Sequence, residues 1–309
     1  MDICYIFPGQ GSQYVGMGKN LYDNSPEAKA VFDQAENILP DLNLKRLCFE
    51  GPIEELTQTA NSQVAILVTS IAALYALSRE RSRPFPTACA GLSLGEYSAL
   101  VASGALEFSD AVRLVRRRGE LMERSAKNNP GAMASVLGMS IEDIKEICED
   151  SGAEVANLNC PGQIVISGRK EDVRKAMAMA EKKGAKKSIL LNVSGPFHSS
   201  FMKEAASEFK KELDKTKFSS PKASIVSNVT ADYEKGAEEI KENLAKQLYS
   251  PVRWEESIVK ISGEGCATFF EIGPGKTLKG LLRRINPELK VYNIEIMDDT
   301  IQGGMVCAN

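Results

Sequence analysis

The stretch Gly91-Leu92-Ser93-Leu94-Gly95 places a serine between two glycines, each two positions away. Residues 87–90 before it form a β-like run, and residues 94–101 after it have the pattern of a helix. Glycines let the backbone turn sharply between a strand and a helix, and they leave the serine hydroxyl exposed. The stretch therefore predicts an α/β fold in which Ser93 is a nucleophile on a tight turn.

His198 is the only histidine in the chain, and it follows Ser194-Gly195-Pro196-Phe197. A serine hydroxyl becomes a good nucleophile when a base takes its proton, and imidazole titrates in a suitable range. A lone histidine is more often structural than catalytic, and a serine between glycines also occurs by chance. Taken together, the two motifs favour a serine acyl-transfer enzyme whose base is His198.

The composition is that of an ordinary globular protein. The chain has 309 residues, of which 43% are hydrophobic and 26% charged, and this length suits a large α/β domain with a smaller insertion. The formal net charge of −3 gives no electrostatic reason to expect a nucleic-acid partner. We expect none.

Cysteine usage and hydropathy predict a reduced, cytoplasmic protein without metal or membrane contact. The seven cysteines are scattered and form no C-x-x-C pair, so with one histidine a zinc site is not expected. The first residues lack the basic region of a signal peptide. The longest apolar run, residues 64–77, is too short to cross a bilayer and contains Thr69 and Ser70, so we interpret it as a buried helix.

A distinct pattern of strands and helices in the middle of the chain predicts an inserted small domain. The predicted elements are a strand at 132–139, a helix capped by Ser140, strands at 155–159 and 163–167, a helix at 170–183 and a strand at 188–193. This βαββαβ order is the ferredoxin-like pattern. We assign residues 129–195 to it and residues 1–128 and 196–309 to a large α/β-hydrolase-like domain with a parallel sheet. The active site should lie in the cleft between the two.

Further elements of the large domain follow from its apolar runs. We expect strands at residues 3–7, 224–227 and 268–272 and a helix that begins at Ser25 with Pro26 in its first position. The first of these strands ends in a glycine-rich loop at residues 8–13, which as a local feature could be a simple turn.

Arg118 falls on the apolar face of a predicted helix at residues 110–124. The stripe that it interrupts consists of Ala111, Leu114, Val115, Leu121 and Met122. A guanidinium on such a face is costly unless an anion meets it. That anion is either one of the 41 acidic residues, as a structural salt bridge, or a carboxylate on the substrate. Beside a serine nucleophile, a substrate carboxylate implies an acyl group with a free acid at its far end, of which malonyl is the simplest.

At this point the motifs identify a family. The chain resembles the malonyl-CoA:acyl carrier protein transacylases of bacterial fatty-acid synthesis and, more distantly, the acyltransferase domains of polyketide synthases. The resemblance runs nearly end to end and rests on the motifs at residues 7–13, 91–97, 118–119, 157–159, 161–163, 195–199, 249–254 and 271–275.

The resemblance implies a ping-pong reaction and a role for each site residue. Ser93 would carry the malonyl group, with His198 as its base and Arg118 on the malonyl carboxylate. The backbone N–H groups of Gln10 and Leu94 would form the oxyanion hole. The backbone carbonyl of Gln247 would orient His198, in place of an aspartate.

The resemblance also implies the substrates and partners. Malonyl-CoA and an acyl carrier protein would be the two substrates, and no cofactor would be needed because the coenzyme A thioester is itself a substrate. Phe197 before the histidine fits a malonyl-selective site, since a bulky aromatic side chain leaves little room for an α-methyl branch. Asn159 and Gln163 could equally be turn residues and receive no catalytic role. We expect a monomer.

One position departs from the family. Leu92 stands before the nucleophile, where the family commonly has histidine. We expect this change to alter local packing and the rate, and not the reaction.

Three other functions remain in competition. A serine esterase would usually place its acid and histidine late in the chain, and it would have no use for Arg118. A non-catalytic carrier-binding module would not need Ser93, His198 and Arg118 together. Delivery of malonyl to a polyketide carrier protein would keep the same chemistry.

Carrier proteins of this family are acidic, so a basic docking surface is expected. The candidates are Lys182, Lys183, Lys186 and Lys187 on the small domain, and Lys276, Lys279, Arg283 and Arg284 after Gly275. For any single one of these residues, an ordinary solvated role is the more common case.

Overall fold

The computed structural model describes residues 2–78 and 85–299. It contains a larger parallel sheet and a smaller antiparallel sheet, with helices packed around both. This mixed α/β architecture confirms the fold class that the sequence predicts. Cys307 lies outside the described residues.

The larger sheet is built from five strands, β1 (Ile3–Phe7), β2 (Ala88–Gly91), β7 (Ser224–Ile225), β8 (Thr268–Ile272) and β9 (Lys290–Ile294). Their spatial order is β7-β2-β1-β8-β9, and every neighbouring pair is parallel. Strands β1 and β8 are buried along their whole length, as expected for the centre of a parallel sheet covered on both faces. The carboxyl ends of β1 and β2 lie side by side, because Phe7 pairs with Gly91.

The smaller sheet contains β3 (Gly131–Leu137), β4 (Glu154–Cys160), β5 (Gln163–Arg169) and β6 (Lys187–Leu190). The strands are antiparallel in the order β4-β5-β3-β6. Helices α8 (Ile141–Ser151) and α9 (Lys170–Lys182) complete the predicted βαββαβ order. The capping role of Ser140 is confirmed, since its Oγ accepts a hydrogen bond from the Asp143 N–H at 3.1 Å.

The remaining helices surround the larger sheet. They are α1 (Lys19–Asn24), α2 (Pro26–Ile38), α3 (Leu44–Phe49), α4 (Ile53–Leu56), α5 (Thr59–Ser78), α6 (Gly95–Ala102), α7 (Phe108–Asn128), α10 (Lys203–Lys215), α11 (Ala237–Gln247), α12 (Trp254–Gly263) and α13 (Thr277–Ile285), with short 3-10 turns at Pro40–Leu42 and Ser200–Met202. The predicted start of α2 is confirmed, because Ser25 Oγ accepts from the Ala28 N–H at 3.2 Å and Pro26 is the first helical residue.

Helix α5 corrects one argument from the sequence. By length and composition, residues 59–77 within it could cross a membrane, because the helix is longer than the apolar run at residues 64–77 that the sequence analysis considered. The mostly polar residues 59–63 extend the helix beyond that run. The burial of the helix is nevertheless as predicted, since 94% of the segment lies inside the fold. A core helix of this kind passes the same length test as a membrane span.

Main-chain hydrogen bonds connect the smaller sheet to a later segment of the chain. The Leu158 N–H donates to Val252 O and the Val252 N–H to Ala156 O, both at 2.8 Å. These bonds join β4 to the segment before α12. The boundaries of the small domain at residues 129 and 195 stay a prediction.

The cysteines are not all free. Cys4 in β1 and Cys266, just before β8, form a disulfide, whereas the sequence favoured a reduced chain. Because β1 and β8 are adjacent in the sheet but far apart in sequence, the spacing of the cysteines could not reveal this pair. Cys48, Cys89, Cys148 and Cys160 are buried and take no part in a disulfide within the described residues.

Candidate active site

Ser93 lies on the sharp turn between β2 and α6, and its backbone is in the left-handed region with φ 51°. Two glycines make this turn possible. A Cβ on Gly91 would lie 1.9 Å from the carbonyl carbon of Gly95, and a Cβ on Gly95 would lie 2.1 Å from Phe7 O. Neither distance is compatible with a side chain, so the helix can approach the strand ends only with glycine at both positions.

Asn228 stabilises this turn and was not found from the sequence. Its Oδ1 accepts from the Ser93 N–H at 2.6 Å, and its Nδ2 donates to Gly91 O at 2.7 Å. A left-handed conformation costs a residue such as serine about 1–2 kcal/mol. The two hydrogen bonds offset that cost and hold the hydroxyl outward.

Ser93 and His198 are within hydrogen-bond distance. Ser93 Oγ lies 2.8 Å from His198 Nε2, and His198 Nδ1 lies 2.8 Å from the backbone oxygen of Gln247. A carbonyl oxygen only accepts, so Nδ1 must carry the proton and Nε2 is free to accept from the serine. The structure thus brings together Ser93, His198 and Gln247, all of which were selected from the sequence. The Gln247 carbonyl stands where a catalytic triad has an acid.

The pKa of His198 is lowered from its ordinary 6.5 to about 4. Burial is the main cause, since the imidazolium would lose its hydration, and the positive charge of Arg118 adds to it. The imidazole is therefore neutral around pH 7 and able to accept a proton.

Arg118 is 1% exposed and reaches the nucleophile from α7. Its Nη2 donates to Ser93 Oγ at 3.1 Å and to Gln247 Oε1 at 2.8 Å, and its Nη1 donates to Gln63 Oε1 at 2.7 Å. The guanidinium carbon lies 5.6 Å from the centre of the Tyr97 ring. Within residues 2–78 and 85–299, Arg118 forms no salt bridge, so the structural ion pair considered from the sequence is not found there.

Two backbone N–H groups selected from the sequence belong to residues close to Ser93. Gln10 lies in the loop that follows β1, and Leu94 directly precedes α6. Among the described residues, neither N–H donates a hydrogen bond, although α6 begins at the next residue after Leu94. Both groups are thus available to a developing negative charge beside Ser93.

A cavity of about 470 Å³ opens above Ser93 and His198. One side is formed by the loop of residues 8–13 and by α13, and the opposite side by residues of the small sheet such as Met133 and Asn159. The cavity therefore lies between residues of the larger sheet's loops and residues of the smaller sheet. Leu92, Gln163 and Phe197 line the same cavity.

Gln63 is another residue that the sequence analysis missed. It is fully buried in α5, although it lies at the start of the apolar run. A buried amide must find a partner, and here the partner is Arg118. The polar residues just before Val64 were the available signal.

Among the described residues, no three His, Cys, Asp or Glu side chains lie together in a way that could hold a metal ion.

With this geometry established, comparison with known proteins places the chain in a family. A family model described as the acyl transferase domain matches residues 4–294. The chain belongs to the acyl transferase family. Malonyl CoA-acyl carrier protein transacylase of Bacillus subtilis (strain 168) is 51% identical over 297 residues, which cover 94% of this chain and 93% of that protein. The transacylase of the same name from Staphylococcus aureus (strain MRSA252) is 42% identical over 95% of this chain and 96% of the relative.

Solved structures agree with this assignment. The acyl-carrier-protein S-malonyltransferase of Bartonella henselae superposes with a TM-score of 0.96 at 38% identity and covers the whole of both chains. A malonyl-transacylase solved in complex with its type II PKS acyl-carrier protein also gives a TM-score of 0.96, at 36% identity over 99% of this chain and all of that one. The resemblance that the motifs carried is confirmed, and an unrelated esterase is excluded.

The tight turn predicts that Gly95→Ala disrupts the site. The added Cβ would collide with a main-chain oxygen that cannot move freely, so we expect a loss of stability of at least about 1–3 kcal/mol. Thermal or urea unfolding measures it.

Gly280→Ala in α13 is the matched control, because a Cβ there meets no heavy atom within 4 Å. Alanine favours a helix over glycine by up to about 1 kcal/mol, so this variant should be neutral or more stable. Equal stability of the two variants would contradict the steric argument.

Proposed function

We propose that this chain transfers the malonyl group of malonyl-CoA to the phosphopantetheine thiol of an acyl carrier protein and so supplies fatty-acid chain extension. The observation that carries the proposal is the buried guanidinium of Arg118. Its hydrogen-bond partners in the described part of the chain are all neutral groups, and its Nη2 lies 3.1 Å from the hydroxyl that would carry the acyl group. A substrate carboxylate supplies the missing anion.

In the first half-reaction, Ser93 Oγ attacks the thioester carbonyl carbon while His198 Nε2 takes its proton. The carbonyl oxygen becomes negative and is stabilised by the N–H groups of Gln10 and Leu94. Collapse of this intermediate breaks the carbon–sulfur bond. The coenzyme A sulfur leaves with the proton from His198, and malonyl remains as an ester on Ser93.

In the second half-reaction, the thiol of the carrier's phosphopantetheine arm replaces coenzyme A. His198 Nε2 takes the thiol proton while the sulfur attacks the ester carbonyl. The same two N–H groups stabilise the oxyanion, and Ser93 leaves with the proton. The Gln247 carbonyl keeps Nδ1 protonated through both halves and favours the imidazolium that forms in each.

Acyl selectivity follows from charge and shape. An acetyl group would leave the Arg118 charge buried without an anion, whereas malonyl pairs with it. Phe197 is buried beside the base and lines the cavity, so it restricts an α-methyl branch. Both features favour malonyl over acetyl and methylmalonyl.

The comparisons support the substrates as well as the family. The relatives in Bacillus subtilis and Staphylococcus aureus are named for malonyl CoA and acyl carrier protein, and a structural neighbour is bound to its carrier. We further propose that the chain acts as a monomer in the cytoplasm and without a cofactor. Gel filtration with light scattering tests the first of these three.

The docking surface is best assigned to α13 and the residue before it. Thr277, Leu278 and Leu281 line the cavity, so the basic residues beside them border the entrance that the phosphopantetheine arm must use. The small-domain cluster is less free, because Lys183 is paired with Asp143 and Glu146.

Intact-protein mass after brief mixing with malonyl-CoA tests the proposal directly. We expect a malonyl adduct on the wild type and none on Ser93→Ala. For Arg118→Ala, loss of a charge-assisted pair should reduce malonyl labelling relative to acetyl labelling by about ten- to a hundredfold. Arg117→Ala is the matched control on the same helix, since Arg117 is partly exposed and pairs with Glu120 and Glu208. No adduct with either thioester and no released coenzyme A would favour a binding module.

The pH dependence of acylation follows from the lowered pKa of His198. Because the neutral imidazole is the base and its pKa is about 4, the rate should not fall as pH drops from 7 to 5. An ordinary histidine would lose its base form below its pKa of 6.5. Removing the Arg118 charge favours the imidazolium, so Arg118→Ala should move the acid limb to higher pH. Quenched-flow acylation by acetyl-CoA measures both enzymes, and an acid limb near 6.5 in the wild type would refute this reasoning.

Charge reversal tests the docking surface. We expect the triple variant Lys276→Glu, Lys279→Glu, Arg283→Glu to raise the KM for the carrier protein by about tenfold or more, with a weaker effect at high salt. Transfer from malonylated enzyme to free pantetheine, which carries no acidic surface, should be unchanged. The control triple reverses Lys203, Lys210 and Lys246, which line a separate pocket between α10 and α11. An unchanged KM for the carrier would exclude the α13 surface.

A further inference from the structure

The side chain of Gln247 links the nucleophile, the arginine and a buried acid. Its Oε1 accepts from Arg118 Nη2 at 2.8 Å, and its Nε2 donates to Ser93 O at 3.0 Å and to the carboxylate of Glu96. Its backbone oxygen meanwhile binds His198. The proposed mechanism uses the backbone of Gln247 only, and it gives no role to Glu96.

Glu96 is 1% exposed and lies in the first turn of α6, three residues after the nucleophile. It forms no salt bridge with any residue of the described chain. Besides Gln247, the backbone N–H of Asn228 donates to it. Burial raises the pKa of this carboxyl to about 8, which shows how costly its charge is at this position. The side chain of Gln247 connects this buried acid to Arg118 and to the main chain of the nucleophile, so the acid calls for a specific role.

That role follows from what each group can donate or accept. A side-chain amide can flip by half a turn and exchange its oxygen and nitrogen. The NH₂ group of Gln247 has two acceptors, Ser93 O and a carboxyl oxygen of Glu96, so this side of the amide faces them. Its oxygen must then face Arg118, where it holds the guanidinium beside Ser93 Oγ. With the amide reversed, an NH₂ group would oppose the guanidinium and the contact would be lost.

We propose that Glu96 is a positioning residue for malonyl selection, which acts through the Gln247 side chain to hold the Arg118 guanidinium at the acyl position on Ser93. The inference rests on the proposed function, because it concerns how the carboxylate site is oriented. Glu96 touches neither substrate nor the reacting atoms.

Glu96→Gln is the direct test. It keeps the shape of the side chain but can present NH₂ to the NH₂ group of Gln247, which leaves Ser93 O as the acceptor that still holds this amide and so weakens its orientation toward Arg118. We expect the kcat/KM for acylation by malonyl-CoA to fall by at least about tenfold, since a hydrogen bond to a charged group is lost. Acylation by acetyl-CoA, which does not use Arg118, should fall by less than about threefold on the same reasoning. The changed ratio is a readout that a merely structural role would not produce.

Glu234→Gln is the matched control. Glu234 is also buried and its carboxylate accepts from Asn243 Nδ2 at 3.0 Å, but it has no contact with Gln247. Glu234→Gln removes a buried carboxyl group but leaves the hydrogen bonds of the Gln247 amide in place, so the ratio of malonyl to acetyl acylation should stay at the wild-type value.

A double variant separates positioning from other effects. If Glu96 acts through Arg118, then Glu96→Gln added to Arg118→Ala should change malonyl acylation by less than about twofold. A further tenfold loss in that background, or an equal loss for malonyl and acetyl in the single variant, would overturn the proposal.

Gln247→Met covers the case in which Glu96→Gln does not fold. Methionine removes the amide but keeps the backbone carbonyl that binds His198, so the same malonyl-selective loss is expected. An unchanged ratio in this variant would also overturn the proposal. Wild-type labelling by malonyl-CoA remains as a separate result, so a failed role for Glu96 is distinguishable from a failed function.

Discussion

The buried charge of Arg118 is the constraint around which the site is arranged. Moving a guanidinium out of water costs several kcal/mol, and in most proteins a buried carboxylate offsets that cost. Here the partners within the described chain are amide oxygens, a serine hydroxyl and the face of Tyr97, which are dipoles without a net negative charge. Such a site is polar enough to fold and still favours an anion. The guanidinium therefore remains available to a substrate carboxylate, since no side-chain acid of the described chain competes for it directly.

The same charge affects the base. A carboxylate beside His198 would raise the histidine pKa and add negative charge where malonyl must bind. A backbone carbonyl fixes the tautomer of the ring and avoids that repulsion, because it accepts the Nδ1 proton as a dipole. The low pKa of His198 is the consequence of burial and of Arg118. A carbonyl that orients the histidine, in place of an acid, therefore suits a site that binds a negatively charged substrate.

The sequence predicted the features that depend on local pattern. Glycine spacing around Ser93 identified the turn, alternating elements identified the small sheet, and periodicity placed Arg118 on the inner face of α7. Partners brought by other elements were missed. Gln63, Asn228 and Glu96 each contact the site across a long sequence separation or through a third residue. Their neighbouring residues do not show which partner each of them meets. The disulfide between Cys4 and Cys266 was missed for the same reason, since the spacing of cysteines in the sequence does not reveal which strands are neighbours in a parallel sheet.

Leu92 shows how a departure from the family pattern can leave the chemistry intact. Its backbone N–H donates to Phe7 O at 3.0 Å and its own oxygen leaves no room for a side chain at Gly9, so the main chain of this position has a fixed part in the turn. Its side chain packs against the core cluster that contains Trp254 and Val252, and it lines the cavity. An apolar side chain suits those surroundings without a hydrogen-bond partner, whereas a histidine there would need one. Because this leaves His198 as the only imidazole in the chain, any histidine titration seen in catalysis belongs to the base itself.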